Sequence, residues 1–271
     1  MDRPFDGKIA VITGSTQGLG EATARLFAER GAGGLIICGR DKANGERIAS
    51  ELSRNGCRTV FIEADLSDVE ACRSVIDAAD KIFGWLDHLI NCAAVTNRGT
   101  VIDTSPEQFD NMFAVNVRAP YFLTQDAVKL MIRDGTQGSI VNVLSMSGLG
   151  GQSFLSAYST SKGAMEVFTK NTAYSLLRNR IRVNGLNIGW MNTPGEHAIQ
   201  KEIHHAPDDW LQRTAENQPF GRLLEPAEVA RTISFLASSD SGMMTGALVN
   251  MDQSVEGCSD ASAHPAQAMT L

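Results

Sequence analysis

The chain is poor in the features that mark several large protein classes. Its 271 residues hold five cysteines, Cys38, Cys57, Cys72, Cys92 and Cys258, with no Cys-x-x-Cys pair among them. An odd, scattered set excludes a disulfide framework or a zinc finger and points to reduced thiols in a cytosolic protein. Prolines number eight and form no linker. No apolar run approaches the roughly 18 residues of a membrane span, and the N-terminal stretch lacks a secretory apolar region. Basic residues are the minority, 24 against 31 acidic, for a net charge of −7. The clustered basic footprint of a nucleic-acid binder is therefore not expected. His197, His204 and His205 have no carboxylate at ligand spacing and read as part of a solvated segment, not as a metal site. The expectation is a cytoplasmic protein with no metal, no membrane and no nucleic acid.

What the chain does have is alternation. With 43% hydrophobic and 20% charged residues it can build a substantial core. Short β-rich runs occur at 9–13, 35–38, 59–63, 86–90, 139–143, 181–186 and 247–251. Their nearly continuous Val/Ile/Leu content suits strands buried on both faces, as in a parallel sheet. Between them lie amphipathic stretches at 19–30, 43–55, 69–83, 106–132, 157–177 and 226–238. Strand–helix alternation implies right-handed βαβ units. The expected fold is α/β: one doubly wound, Rossmann-type domain over 1–258, with about seven parallel strands and helices on both faces. Residues 190–220 are polar and hold three prolines, which suits a substrate lid. Residues 259–271 read as a loosely ordered tail.

The first strand runs into Thr13-Gly-Ser-Thr-Gln-Gly-Leu-Gly20 and then directly into a helix. Glycines there permit a tight turn and close approach to a pyrophosphate, which the free N–H groups of the helix N-terminus can hold. The second strand ends in Gly39-Arg40-Asp41. In a dinucleotide fold this position faces the adenine ribose, where an acid binds a 2′-hydroxyl and an arginine grips a 2′-phosphate. Arg40 thus favours NADP(H) over NAD(H), with a solvated helix-start arginine as the plain alternative. Asp41 weakens that reading unless it caps the next helix.

Tyr158 and Lys162 are four residues apart on a predicted helix and share a face. On its own such a pair is usually surface decoration. A cation near a phenol, however, favours the phenolate and brings the tyrosine toward useful proton exchange. Ser145 follows the fifth strand, at the carboxyl edge where ligands bind in such sheets, and can hydrogen-bond a carbonyl or alkoxide. Ser147 is its rival. Asn116 interrupts an apolar helix and must either cap or kink it or organise water.

Gly14-x3-Gly18-x-Gly20, Asn91, Asn116, Ser145 and Tyr158-x3-Lys162 together resemble the short-chain dehydrogenase/reductase family over roughly residues 5–255. The resemblance implies Tyr158 as general acid/base, with Lys162 binding the nicotinamide ribose and lowering the phenol. Ser145 would polarise the substrate oxygen and Asn116 would hold a relay water. Implied cofactor contacts are Gly14, Ser15, Thr16, Gln17, Gly18, Leu19, Gly20, Arg40, Asp65 at the adenine, Leu66, Asn91, Ala93, Tyr158, Lys162, Gly189, Met191 and Thr193. Cys92, Ala94 and Ile188 depart from the family's usual residues, as do Gln253 and Ser254. Gln152, Phe154 and Trp190 are candidate substrate walls beside Ser145. The implied activity is hydride transfer between NADP(H) and a small carbonyl or secondary alcohol, such as a sugar, polyol, hydroxy acid or cyclic ketone. An NAD-dependent alcohol or polyol dehydrogenase and a non-catalytic nucleotide-binding regulator are the alternatives. The family's precedent also implies a homodimer or homotetramer.

Overall fold

The computed structural model describes residues 3–258; the tail expected over 259–271 lies outside them. Seven strands, β1 (Ile9–Thr13), β2 (Gly34–Gly39), β3 (Arg58–Glu63), β4 (His88–Asn91), β5 (Ser139–Ser145), β6 (Arg182–Ile188) and β7 (Leu248–Met251), form one sheet. All pair in parallel, in the order β3-β2-β1-β4-β5-β6-β7. The order reverses between β1 and β4. Loops leaving these two strands depart to opposite faces, and a crevice opens at their carboxyl ends.

The helices between the strands are α1 (Gly18–Glu29), α2 (Lys42–Arg54), α3 (Val69–Phe83), α4 (Pro106–Phe113), α5 (Ala119–Arg133), α6 (Ser156–Ser175), α7 (Pro194–Glu202), α8 (Trp210–Glu216) and α9 (Pro226–Ala237). Successive strand residues point to opposite faces, so each strand feeds two cores. Ala10, Ile12, Leu35 and Ile37 pack with Phe27 of α1, Ile48 of α2 and Ile233 of α9. Ile9, Val11, Ile36 and Cys38 pack with Val75 of α3, Leu123 of α5 and Ala173 of α6. Burying an Ile or Leu side chain is worth roughly 1.5–3 kcal/mol. Two covered faces therefore explain why these strands read as unbroken apolar runs and not as alternating ones.

Three segments differ from the sequence expectation. The long helix expected over 106–132 is interrupted by a wide π-helical turn at Ala114–Arg118, closed by the N–H of Ala119 to the carbonyl of Ala114. Pro120 has no N–H to offer the carbonyl four residues back, so the regular ladder cannot run through this point. The wider turn aims the buried Asn116 inward. Strand β5 continues past Val143 to Ser145, which pairs opposite Ile188. The expected lid over 190–220 carries the short helices α7 and α8, anchored by buried Trp210, which stacks with Trp190 and takes His197 edge-on.

Candidate active site

The carboxyl ends of the strands border a cavity of about 960 Å³ that runs from the end of β2 to the segment expected as a lid. Its floor is the turn between β1 and α1. Gly14 has φ +64°, and a Cβ there would lie 2.9 Å from the Ala93 Cα. A Cβ on Gly20 would collide with the Gly14 carbonyl. The Thr13 hydroxyl accepts the N–H groups of Cys92 and Ala93 at 3.0 Å each, which fixes the β4 loop beside the turn. Gln17 at the start of α1 makes no side-chain cap. The first-turn N–H groups are thus left for an anion, as a dinucleotide pyrophosphate requires.

At the β2 end Arg40 is exposed, lines the cavity, and has no ion-pair or hydrogen-bond partner among the described residues. Asp41 turns away: its carboxylate accepts from the backbone and side chain of Asn44 at 3.0 and 2.7 Å, capping α2 and lying below its ordinary pKa for that reason. The two roles left open in the sequence are separated. A similar division holds downstream, where Asp68 caps α3 while Asp65 lines the cavity and accepts the Ser67 N–H at 2.9 Å.

At the other end Ser145, Tyr158 and Lys162 face the cavity together. Burial raises the Tyr158 phenol above its ordinary value, against the opposing influence of the Ser145 hydroxyl and the Arg98 guanidinium. The Lys162 ammonium donates to the Val143 carbonyl at 2.9 Å and lies 5.7 Å from the Tyr158 ring centre; burial pushes it down to about 8. Lys162, expected to lower the phenol, is not among the groups that do so; Ser145 and Arg98 are, and desolvation outweighs them. Cys92 borders the same space, but burial pushes its thiol up to about 12, which removes it as a nucleophile.

Of the residues expected to be catalytic, to hold the cofactor or to wall the substrate, all line this cavity except Ser15, Asn91 and Asn116. The Ser15 hydroxyl is buried and donates to the Ile12 carbonyl. Asn91 donates to Asn142 at 2.8 Å inside the protein. Asn116 accepts the Val95 N–H and donates to the Val95 carbonyl, both at 2.9 Å, and reaches Ser161 of α6 at 3.1 Å. It ties the π turn, the β4 loop and α6 into one unit. Gly189, Met191 and Thr193 border the cavity beneath the lid, and Thr193 also caps α7 by accepting the Glu196 N–H.

The lid end holds a group that sequence spacing did not disclose. Arg98 of the β4 loop faces Glu196 of α7 at 3.6 Å and donates to His204 at 3.2 Å. Glu196 accepts from the Trp190 indole at 2.9 Å and from Gln200 at 2.8 Å, and Phe154 lies over the Arg98 guanidinium. Residues 98 and 196 come from different crossovers, so no local pattern joins them.

A family model described as enoyl-(acyl carrier protein) reductase matches residues 14–255. The chain is 34% identical to an uncharacterized oxidoreductase of Thermotoga maritima over 248 residues, covering 92% of this chain and 97% of that one. It is 32% identical to an NADP-dependent (R)-specific alcohol dehydrogenase of Lentilactobacillus kefiri, covering 91% and 96%. In structure it resembles an L-sorbose reductase of Gluconobacter frateurii solved with NADPH and L-sorbose, at a TM-score of 0.86 and 28% identity, over 93% of this chain and 98% of the other.

Proposed function

Because the chain belongs to the short-chain dehydrogenase/reductase family of oxidoreductases, we propose that it reduces a small carbonyl compound at the expense of NADPH. The observation that carries this reading is the buried phenol of Tyr158, set beside Ser145 on the cavity wall. The bound dinucleotide would supply the hydride. The protein's own part is proton delivery and orientation. Ser145 donates a hydrogen bond to the substrate oxygen, and Tyr158 gives that oxygen its proton as negative charge develops there. A protonated phenol beside the substrate oxygen can deliver the proton that carbonyl reduction requires. Lys162 holds the ribose side, and Asn116 positions the β4 loop and α6 against each other.

Three further observations support a dinucleotide, the last two of them NADP(H). The glycine turn leaves room for a pyrophosphate, Arg40 is free to meet a 2′-phosphate, and the competing Asp41 carboxylate is spent on α2. Both the Lentilactobacillus enzyme and the sorbose reductase carry NADP in their descriptions. The reading is tested by Tyr158→Phe. Carbonyl-dependent NADPH oxidation should fall at least about 100-fold, the usual contribution of a positioned acid, while NADPH binding followed by nicotinamide fluorescence stays within about twofold. Turnover surviving at a tenth or more of the wild-type rate would refute Tyr158 as the proton donor.

A further inference from the structure

We infer that Arg98 and Glu196 form a charge-neutral recognition pair that selects an uncharged polyhydroxylated carbonyl and rejects its carboxylate analogues. This deepens, and rests on, the carbonyl-reductase reading.

The two side chains are only 16% and 14% exposed, yet both border the cavity. Sheltering charges from water is costly unless they are paired, so a sheltered Arg–Glu pair at a cavity wall calls for a reason. The hydrogen-bond inventory supplies one. On Arg98, Nε is directed to His204 and Nη1 to the Thr96 carbonyl. Nη2 faces Glu196 at 3.6 Å, beyond hydrogen-bond distance, so its donors are unspent among the described residues. On Glu196, Oε1 takes both the Trp190 and Gln200 donors, and Oε2 accepts from none of the described residues. The pair thus offers one cationic donor and one anionic acceptor side by side.

That combination matches a hydroxyl, which both gives and accepts, or two neighbouring hydroxyls that divide the tasks. A lone arginine would instead favour a carboxylate through its bidentate fork. Glu196 removes that preference by neutralising the charge and repelling a second anion. The exposed rings of Trp190 and Phe154 flank the pair and give the C–H face of a polyol an apolar surface. Gln152 adds an uncharged amide that donates and accepts. A cyclic ketone without hydroxyls would leave the pair unmatched. A hydroxy acid would meet Glu196.

The test uses the full chain with NADPH and three probes: a neutral ketohexose, the keto acid derived from it, and cyclohexanone. Binding of sorbitol and of gluconate to the NADP⁺-loaded protein is measured in parallel by calorimetry. Wild type should prefer the ketohexose over the keto acid in kcat/KM by at least about tenfold. Glu196→Gln keeps the Oε1 acceptor for Trp190 and Gln200 but uncovers the Arg98 charge. It should shift the acid-to-neutral ratio about tenfold toward the acid, in turnover and in gluconate binding alike. A gain for the acid cannot arise from misfolding, and the cyclohexanone rate controls for general damage. Arg98→Met should weaken the ketohexose with no gain for the acid. A wild-type preference for the keto acid, or a ratio unmoved by Glu196→Gln, overturns the inference. Absence of turnover with every carbonyl, while Glu196→Gln still moves the binding ratio, would sink the reductase reading and uphold the pair. Loss of both turnover and the binding shift would sink both.

Discussion

Removing the Arg40 guanidinium should change which nicotinamide dinucleotide the protein prefers. Arg40 stands at the carboxyl end of β2 with no hydrogen-bond or ion-pair partner among the described residues, so Arg40→Ala breaks no such bond. Within the protein it removes a positive charge that helps hold the Asp65 carboxyl below its ordinary value. Hydrogen bonds between charged groups are worth roughly 1.5–3 kcal/mol. Arg40 is exposed and open to salt screening, which places the loss in the lower half of that range, about 10–30-fold in Kd for NADPH. NADH, which carries no 2′-phosphate, should move by less than about twofold. Titration of nicotinamide fluorescence at low and high ionic strength measures both ligands, and the NADPH advantage of the wild type should shrink as salt is raised. Asp41→Ala serves as the control. It should leave the preference intact and lower stability through the lost α2 cap. Equal weakening of NADPH and NADH by Arg40→Ala, or no weakening of either, would refute the 2′-phosphate assignment.

Two further expectations concern pH. Lys162 titrates at about 8 in the fold against 10.5 when free, so between those values the unfolded chain binds the extra proton and stability rises with pH. The gap corresponds to roughly 3 kcal/mol; Lys162→Met should remove this alkaline gain in urea unfolding and be the more stable protein at pH 7, and an unchanged slope would contradict the assignment. His88 is pushed down to about 4 by burial. Ser139 donates to the Ala237 carbonyl, so its oxygen accepts from Nδ1 of His88, and Nε2 is buried without a partner near the rings of Phe5 and Phe27. A second proton would have no acceptor there. The contribution of the neutral ring is complete above about 6.5 and lost as pH falls through 4. It amounts to about 2 kcal/mol between wild type and His88→Gln in the acid sensitivity measured from pH 7 to 5, and identical acid sensitivity of the two proteins would count against it.

The fold was legible because its signal is local and repeated. Near-continuous apolar runs need two covered faces, and the helical stretches between them supply the cover. The observed seven-stranded parallel sheet follows from that arithmetic. Where the expectation failed, a single residue acted against the surrounding pattern. Pro120 cannot complete the ladder of α5, and Asn116 needs polar partners in an apolar setting. Both requirements are met by one wide turn; Asn116 was legible as a polar interruption that could kink the helix, but the π turn itself was not, because hydrophobic periodicity reads 106–132 as one stretch. The lid was readable as a segment set apart by composition. Its helices α7 and α8 are too short to announce themselves by period, and Trp210 holds them by contacts outside their own length.

The two ends of the cavity were unequally legible for the same reason. The phosphate turn and the Tyr158–Lys162 pair are short-range devices, since a turn needs its glycines within a few residues and a helix face repeats every four. Arg98 and Glu196 obey no such spacing. Each reads alone as an ordinary surface charge, and only the closure of α7 over the β4 loop brings them within 3.6 Å. Proton transfer and dinucleotide binding are requirements that many substrates share, and a compact motif satisfies them. Recognition of one substrate is met by whichever side chains the two longest loops bring over the cavity. On the proposed reading, cofactor and proton chemistry are written along the chain, whereas substrate choice is written across it. Arg40 should thus be separable from Arg98 by experiment: loss of the first moves NADPH affinity without moving the ketohexose-to-acid ratio, and loss of the second does the reverse. Arginines that act on both quantities together would mean that the cavity responds as one electrostatic body, and the division into two ends would fall.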